Sequence, residues 1–271
     1  MNKAVLRLLY TIFSLFPSCQ FLHASENFGF SEPNLFIISP IRNVQTGSSF
    51  SQNLYPAKFK IALYYKLLGS CQSRSGIYIS YIQNSFLDIY NKNQLFYENN
   101  YLPSIYLRLD FTRWLEDNSE LYAPTLKISC SRELNGRADS LNRFWDRITA
   151  TLEFGEFGTT EFFGSFSYWK TIHVSKNSRD INRFAGDAEI RLGYWSRNNS
   201  NILKWGVSMD LCFGNRYQGF TSITTSLYYN PFNSHFKFSP AFIAEYYRGT
   251  AECLRNYNNY VNSIRIGFAL M

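Results

Sequence analysis

The sequence predicts an all-β chain, a transmembrane antiparallel β-barrel of 12 strands that follows a cleaved signal peptide. Only 17% of its 271 residues are charged, whereas 18% are aromatic. No window after residue 25 holds the roughly 18 consecutive apolar residues that a membrane-spanning helix needs. Apolar residues instead alternate with polar ones, which is the period of a β-strand. Alternation is also found in a secreted β-sandwich, so alternation alone does not distinguish a sandwich from a barrel.

The first element is a targeting segment. Lys3 and Arg7 precede the apolar run 8–16, and the small residues Ala24 and Ser25 follow it. A charged start, a short apolar run and small residues at the end are typical of a signal peptide, and the run is too short to cross a membrane. We therefore expect a signal peptide over residues 1–25 and the β-barrel over residues 26–271.

The strands follow from alternation between turn signals. In residues 58–66, for example, Phe59 and Ile61 share one face, and Lys58 and Lys60 share the other. The pattern predicts strands over the ranges 33–41, 57–67, 76–88, 101–113, 121–132, 144–155, 160–171, 184–195, 202–213, 217–229, 235–247 and 259–270. An even number lets an antiparallel barrel close, so that no backbone edge is left unpaired in lipid.

The two faces of these strands are expected to meet different surroundings. The apolar face should contact lipid and the polar face should line the lumen. Lipid-facing side chains are predicted at Phe59, Ile61, Leu107, Leu109, Ile148 and Leu152. Lumen-facing side chains are predicted at Lys60, Tyr64, Arg108, Arg147 and Glu153, and their bulk argues against a wide pore.

The charge and cysteine patterns limit the partners. The net charge is +7, but Lys and Arg are scattered singly, which argues against a nucleic-acid partner and favours anionic lipid headgroups. The four cysteines after the signal peptide form no CxxC pair, so they do not predict a zinc site. Their disulfide pairing is left open, and they are Cys71, Cys130, Cys212 and Cys253.

Several motifs in order resemble those of one protein family. The chain carries a Ser-Tyr-x-Gln-x-Ser run over 80–85, an Asn-Tyr-x-Pro run over 100–103, and an Asn-Gly-Arg-Ala-Asp loop over 135–139 that leads to Arg-x-Trp-Asp-Arg at 143–147. This series resembles the outer membrane phospholipase A family of Gram-negative bacteria, over about residues 33–267. The resemblance implies a 12-stranded barrel in the bacterial outer membrane. It also implies calcium-dependent hydrolysis of phospholipid acyl esters by a homodimer. The expected partners are membrane phospholipid or lipopolysaccharide.

The resemblance also identifies three positions at which this chain departs from the family. The family's catalytic His, Ser and Asn correspond here to Arg132, Leu134 and Asp146. Leu134 has no nucleophilic atom, and the guanidinium of Arg132 stays protonated at neutral pH and cannot act as a base. We expect a catalytically silent barrel in which Arg132 and Asp146 form an ion pair across adjacent strands. Two alternatives are an active phospholipase that uses other residues and a small structural or pore barrel.

Further site residues are implied by the same resemblance. Calcium would take the main-chain oxygen of Arg137, the side chain of Asn142 and a carbonyl of the other subunit near Asn93, unless these are ordinary loop residues. Gln83 matches a glutamine at the family's dimer contact, and the alternative is a lumen-facing glutamine. His173 and Ser175 repeat the His-x-Ser spacing far from the family motif, which we interpret as a chance match.

Overall fold

The strands close on themselves in the computed structural model, which describes residues 27–39, 56–70, 73–89, 96–111, 124–157, 160–197, 203–214, 219–232 and 240–271. The strands are β1 (Phe28–Phe30), β2 (Asn34–Ile38), β3 (Ala57–Leu68), β4 (Gly76–Leu87), β5 (Phe96–Asp110), β6 (Thr125–Leu134), β7 (Phe144–Phe154), β8 (Phe162–Val174), β9 (Ala188–Arg197), β10 (Leu203–Gly214), β11 (Gly219–Tyr229), β12 (Pro240–Gly249) and β13 (Val261–Leu270). A single helical turn, α1 (Asn182–Ala185), lies between β8 and β9.

Strands β2 to β13 form a closed ring in which every neighbouring pair is antiparallel. The order follows the chain from β3 to β13, and β2 pairs with both β13 and β3 to close the ring. The predicted 12-stranded antiparallel barrel is therefore confirmed. Most strand bounds lie within a few residues of the predicted runs, although β5 begins at Phe96 and not near residue 101.

The short strand β1 was not predicted. It pairs with β3 beyond β2, with Phe28 opposite Tyr65, so β1 and β2 occupy one position in the wall with a break between them. Pro33 lies in the break and has no backbone N–H to donate. Glu32, in the same break, forms a salt bridge with Lys60 of β3.

Apolar side chains cover the outer face of the wall. Leu107, Ile148 and Leu152 are each 40% exposed or more, as expected for side chains that face lipid. Phe59 and Ile61 are less exposed, but they alternate with the lumen-facing Lys60 on the same strand. The outer face of the described strands is therefore an apolar belt.

Ion pairs fill the lumen. Lys58 contacts Glu245 at 3.1 Å, and Arg191 contacts Asp210 at 2.7 Å. Arg265, which is fully buried, forms salt bridges with Glu245 at 3.4 Å and with Glu252. The remaining pairs include Arg108 with Glu153 at 3.8 Å and Arg147 with Glu133 at 3.3 Å. The bulky polar lumen that the sequence predicted is present.

One end of the barrel is covered by two loops that pack together. The β8–β9 loop and the β12–β13 loop contribute to a buried cluster of Trp145, Trp169, Ile181, Phe184, Leu254 and Tyr257. The hydroxyl of Tyr257 donates a hydrogen bond to Asp180, and burial together with this carboxylate raises the pKa of Tyr257 to about 12. The phenol therefore stays protonated in moderately alkaline solution as well, and its hydrogen bond joins the two loops.

Two further findings concern helices and thiols. No helix among the described residues is long and apolar enough to cross a membrane. Cys130 and Cys212 are free thiols, Cys253 is buried in the β12–β13 loop, and Cys71 lies outside the described residues. The signal peptide predicted for residues 1–25 also lies outside them.

Candidate functional site

Three adjacent strands bring the candidate residues into one row on the outer face of the barrel. Arg132 of β6 lies directly opposite Asp146 of β7, and Asp146 lies directly opposite His173 of β8. Arg132 and His173 are 54% and 62% exposed. All three are near the strand ends that adjoin the loop-covered end of the barrel.

Arg132 and Asp146 form a bidentate ion pair. The Arg132 Nε donates to Asp146 Oδ1 at 2.6 Å, and a terminal guanidinium nitrogen donates to Oδ2 at 2.7 Å. Two parallel hydrogen bonds of this kind fix both the distance and the orientation of the two groups. The predicted ion pair is confirmed, and its geometry leaves neither oxygen of the carboxylate free of the guanidinium.

The row also contains an aromatic ring and a histidine. The Arg132 guanidinium lies 5.0 Å from the ring centre of Phe144, and the Phe144 and His173 rings are 5.2 Å apart. His173 Nδ1 lies 3.6 Å from Asp146 Oδ2, which is longer than a hydrogen bond. The sequence pattern missed this neighbour of Asp146 because a register shift after Asp146 changes the pairing of β7 with β8.

Leu134 ends β6, opposite Phe144, immediately before the loop that resembles the family motif. The loop is held by Asn135, whose Nδ2 donates to the Leu141 carbonyl at 2.8 Å, and whose Oδ1 accepts from the Arg143 amide at 3.1 Å. Gly136 has a φ of +62°, which a residue with a side chain rarely adopts. Asn135 and Gly136 thus hold the loop in its conformation, although Leu134, the residue before the loop, offers no nucleophile.

The residues that the resemblance assigns to calcium lie on this loop. The Arg137 side chain turns inward, where its Nε donates to the buried carboxylate of Glu98 at 3.1 Å. The main-chain oxygen of Asn142 accepts a hydrogen bond from Asn177 at 3.0 Å. Asn93 lies outside the described residues. Within the described part of the chain, no three His, Cys, Asp or Glu side chains are grouped as metal ligands.

The structure does not join His173 to Ser175. His173 is exposed on the outer face, whereas Ser175 is buried, with its hydroxyl 2.7 Å from that of Ser178. The Ser175 hydroxyl also donates to the Asn142 carbonyl at 3.4 Å. Ser175 therefore anchors the β8–β9 loop and is not placed as a nucleophile for His173.

A shallow groove of about 620 Å³ runs along the outer face beside the ion pair. The exposed area of its lining is mostly apolar and comes from side chains that include Ile79, Pro103, Ile105, Cys130 and Ile172. Its polar lining residues include Arg132, Asp146, Ser80, Ser104 and Ser131. An apolar groove with a polar edge matches a lipid, whose acyl chain and headgroup differ in the same way.

Gln83 lies on the outer face of β4. It alternates with lumen-facing residues in the same phase as the exposed Ile79 and Tyr81. Its Oε1 accepts from the Tyr81 hydroxyl at 2.9 Å, and its Nε2 donates to Ser85 at 3.0 Å. The Oε1 and Nε2 atoms of Gln83 each keep hydrogen-bonding capacity beyond these contacts.

Comparison with solved structures identifies the same architecture elsewhere. The calcium-bound dimer of the outer membrane phospholipase from Salmonella typhi is similar, with a TM-score of 0.72 and 19% identity over 92% of this chain and 94% of that chain. Outer membrane phospholipase A from Escherichia coli is similar, with a TM-score of 0.69 and 19% identity over 90% of this chain and 98% of that chain. None of the curated proteins compared matches this chain.

Comparison with family models gives the assignment. The model of the Phospholipase A1 family matches residues 38–270, which include every strand from β3 to β13 and the loop between β6 and β7. This match covers most of the chain, and the barrel topology agrees with the similar structures. The chain therefore belongs to the Phospholipase A1 family.

Proposed function

We propose that this protein is a catalytically silent member of its family, placed in a bacterial outer membrane, where its outer groove binds lipid without hydrolysing it. The observation that carries the proposal is the bidentate pair between Arg132 and Asp146. It occupies the positions that the resemblance gives to a general base and to the residue that orients it. A guanidinium cannot accept a proton from a nucleophile at neutral pH.

The nucleophile position supports the same proposal. Leu134 carries only carbon and hydrogen in its side chain, so no acyl-enzyme can form there. Removing one member of a catalytic triad typically lowers the rate by several orders of magnitude. Losing the base and the nucleophile together is therefore expected to leave no activity above background.

The proposal does not include a calcium-dependent step. The Salmonella protein is a calcium-bound dimer. In this chain, Arg137 and Asn142 would offer a main-chain carbonyl and an amide oxygen, whereas calcium takes about six to eight oxygens, commonly with carboxylates among them. The buried carboxylate of Glu98, which lies beside the loop, already accepts from Arg137. The described residues do not by themselves fit a calcium site.

A homodimer is the second part of the proposal. The outward amide of Gln83 can form hydrogen bonds with a second copy across the apolar belt, where no water competes. Cross-linking between two Gln83→Cys chains in a bilayer is expected, and cross-linking that is equally efficient at the distant outer position Leu227 would argue against this contact.

An active hydrolase remains the competing function because His173 lies 3.6 Å from Asp146. Hydrolysis of a phospholipid in detergent micelles, with calcium and with chelator, separates the two. We expect the rate to equal that of a protein-free blank under both conditions. Turnover that His173→Ala abolishes would reject catalytic silence. The variant with Arg132→His, Leu134→Ser and Asp146→Asn tests whether turnover appears when the family's residues are introduced.

A further inference from the structure

The loops at the two ends of the barrel carry opposite net charge. The connections β2–β3, β4–β5, β6–β7, β8–β9, β10–β11 and β12–β13 contain nine basic and five acidic residues, a net charge of +4. The connections at the other end contain three basic and five acidic residues, a net charge of −2. A difference of this kind gives the two ends different affinities for an anionic surface.

Cations without an ion pair among the described residues lie on β8 and on the loop that follows it. Lys176 and Arg179 are exposed, and neither forms an ion pair with a described residue. Asp180, between them and α1, is occupied by the hydroxyl of Tyr257. The charges of Lys176 and Arg179 are therefore not neutralised by an ion pair within the part of the chain that the structure describes.

Lys170 extends these cations onto the lipid-facing wall. It lies between the exposed Tyr168 and Ile172, opposite Ile148, and it too lacks an ion pair within the described ranges. It is four residues from the end of β8, which corresponds to about 10 Å along the axis of a barrel whose strands tilt by about 40°. A lysine side chain can cover most of that depth by extending towards the membrane surface.

An unpaired cation on the lipid side is costly unless it meets an anion there. At the bilayer surface the available anions are the phosphate groups of lipids. We propose that Lys170, Lys176 and Arg179, which we name the cationic strip, bind phosphate groups of anionic lipids in the leaflet around this end of the barrel. The proposal rests on the proposed membrane placement, and it does not depend on the loss of catalysis.

The test compares two ligands and two variants of the full-length protein. Native mass spectrometry in a neutral detergent measures binding of bisphosphorylated lipid A and of the same lipid after removal of its phosphates. The strip variant carries Lys170→Gln, Lys176→Gln and Arg179→Gln. The matched control carries Arg197→Gln and Lys204→Gln, which lie at the opposite end of the barrel.

The strip variant is expected to lose about tenfold to hundredfold in affinity for the phosphorylated lipid, since each surface cation contributes modestly to binding an anionic headgroup. Affinity for the dephosphorylated lipid should stay the same, and the control should bind both as the unmodified protein does. Added salt should weaken binding of the unmodified protein more than that of the strip variant.

Equal affinity of the strip variant and the unmodified protein would overturn the proposal, and so would an equal loss in the control. If the strip variant does not fold, the loop substitution Arg179→Gln alone should still lower the affinity about threefold or more, and no change would count against the strip. Failure of the unmodified protein to enter neutral vesicles would instead reject the membrane placement. Hydrolysis measured on the same preparations bears only on catalytic silence.

Discussion

At the scale of single residues, the pair Arg132–Asp146 shows how two substitutions depend on each other. Arg132 alone would place a charge on the outer face beside lipid, and Asp146 alone would do the same with the opposite sign. Together they form two hydrogen bonds between β6 and β7, so each side chain compensates the charge of the other. The ring of Phe144 is a second partner of the guanidinium.

The two residues should therefore be energetically coupled. Arg132→Ala and Asp146→Ala should each lower the free energy of unfolding by about 0.5–2 kcal/mol, and the double variant should cost about 0.5–1 kcal/mol less than the sum. Urea unfolding in lipid vesicles measures all three. The control cycle pairs Arg132→Ala with Asp210→Ala, which lies in the lumen beside Arg191, and this cycle should be additive. Additivity in both cycles would show that the ion pair carries no coupling.

At the scale of strands, alternation determines which side chain meets lipid. Leu152 and Thr151 are neighbours on β7, yet Leu152 is 48% exposed and Thr151 is 9% exposed. The Thr151 hydroxyl lies 2.9 Å from that of Ser167 on β8, on the lumen side. A shift of the register by one residue would exchange these positions and place hydroxyls in lipid.

Spin labels should distinguish the two positions in a chain whose native cysteines are replaced by serine. A label at Leu152→Cys should collide with a lipid-soluble relaxant such as oxygen, whereas a label at Thr151→Cys should be protected from it. The accessibility ratio between oxygen and a water-soluble relaxant is the measured quantity. Higher accessibility to the water-soluble relaxant at position 152 would contradict the membrane placement.

The strands and their lipid-facing sides could largely be predicted from the sequence, since a period of two determines which face is apolar. The ion pair at Arg132 could also be predicted, because two substitutions of complementary charge fell at neighbouring positions. The break at Glu32 and Pro33 could not, because β1 has only three residues and shows no alternation. The position of His173 beside Asp146 depends on a register shift, which depends on packing and leaves no periodic signal.

For the whole molecule, ion pairs across the lumen connect the strands, and the pairs of Arg265 with Glu245 and Glu252 are almost fully buried. Glu245 lies between Lys58 of β3 and Arg265 of β13, and it is 4% exposed. It thus connects three strands across the interior. A filled lumen of this kind is unlike the water-filled channel of a porin.

Glu245→Ala should therefore cost far more than a substitution on the outer face. Loss of the carboxylate leaves the charge of Lys58 uncompensated and leaves Arg265 with Glu252 alone, for which we expect about 3–5 kcal/mol of destabilisation. Urea unfolding in the same vesicles provides the measurement, with Asp146→Ala as the exposed comparison. The more conservative Glu245→Gln keeps the side-chain volume and should recover only the part of the stability that packing contributes. A cost below that of Asp146→Ala would mean that the lumen charges are solvated.

The strand pairings around the ring differ in length, and this difference has a consequence for how the barrel opens. Strand β13 pairs with β12 along its whole length, and its Arg265 is held by Glu245 and Glu252. Its other neighbour, β2, pairs with it only over Asn34–Ile38 among the described residues, whereas β3 pairs with both Phe28–Phe30 of β1 and Leu35–Ile38 of β2. Rupture of a closed ring begins where the fewest bonds must break at once, so the wall should unzip between its first and last strands. Insertion into the membrane would proceed in the reverse order. Strand β13 would pair with β12 first, and its pairing with β2 would then close the barrel.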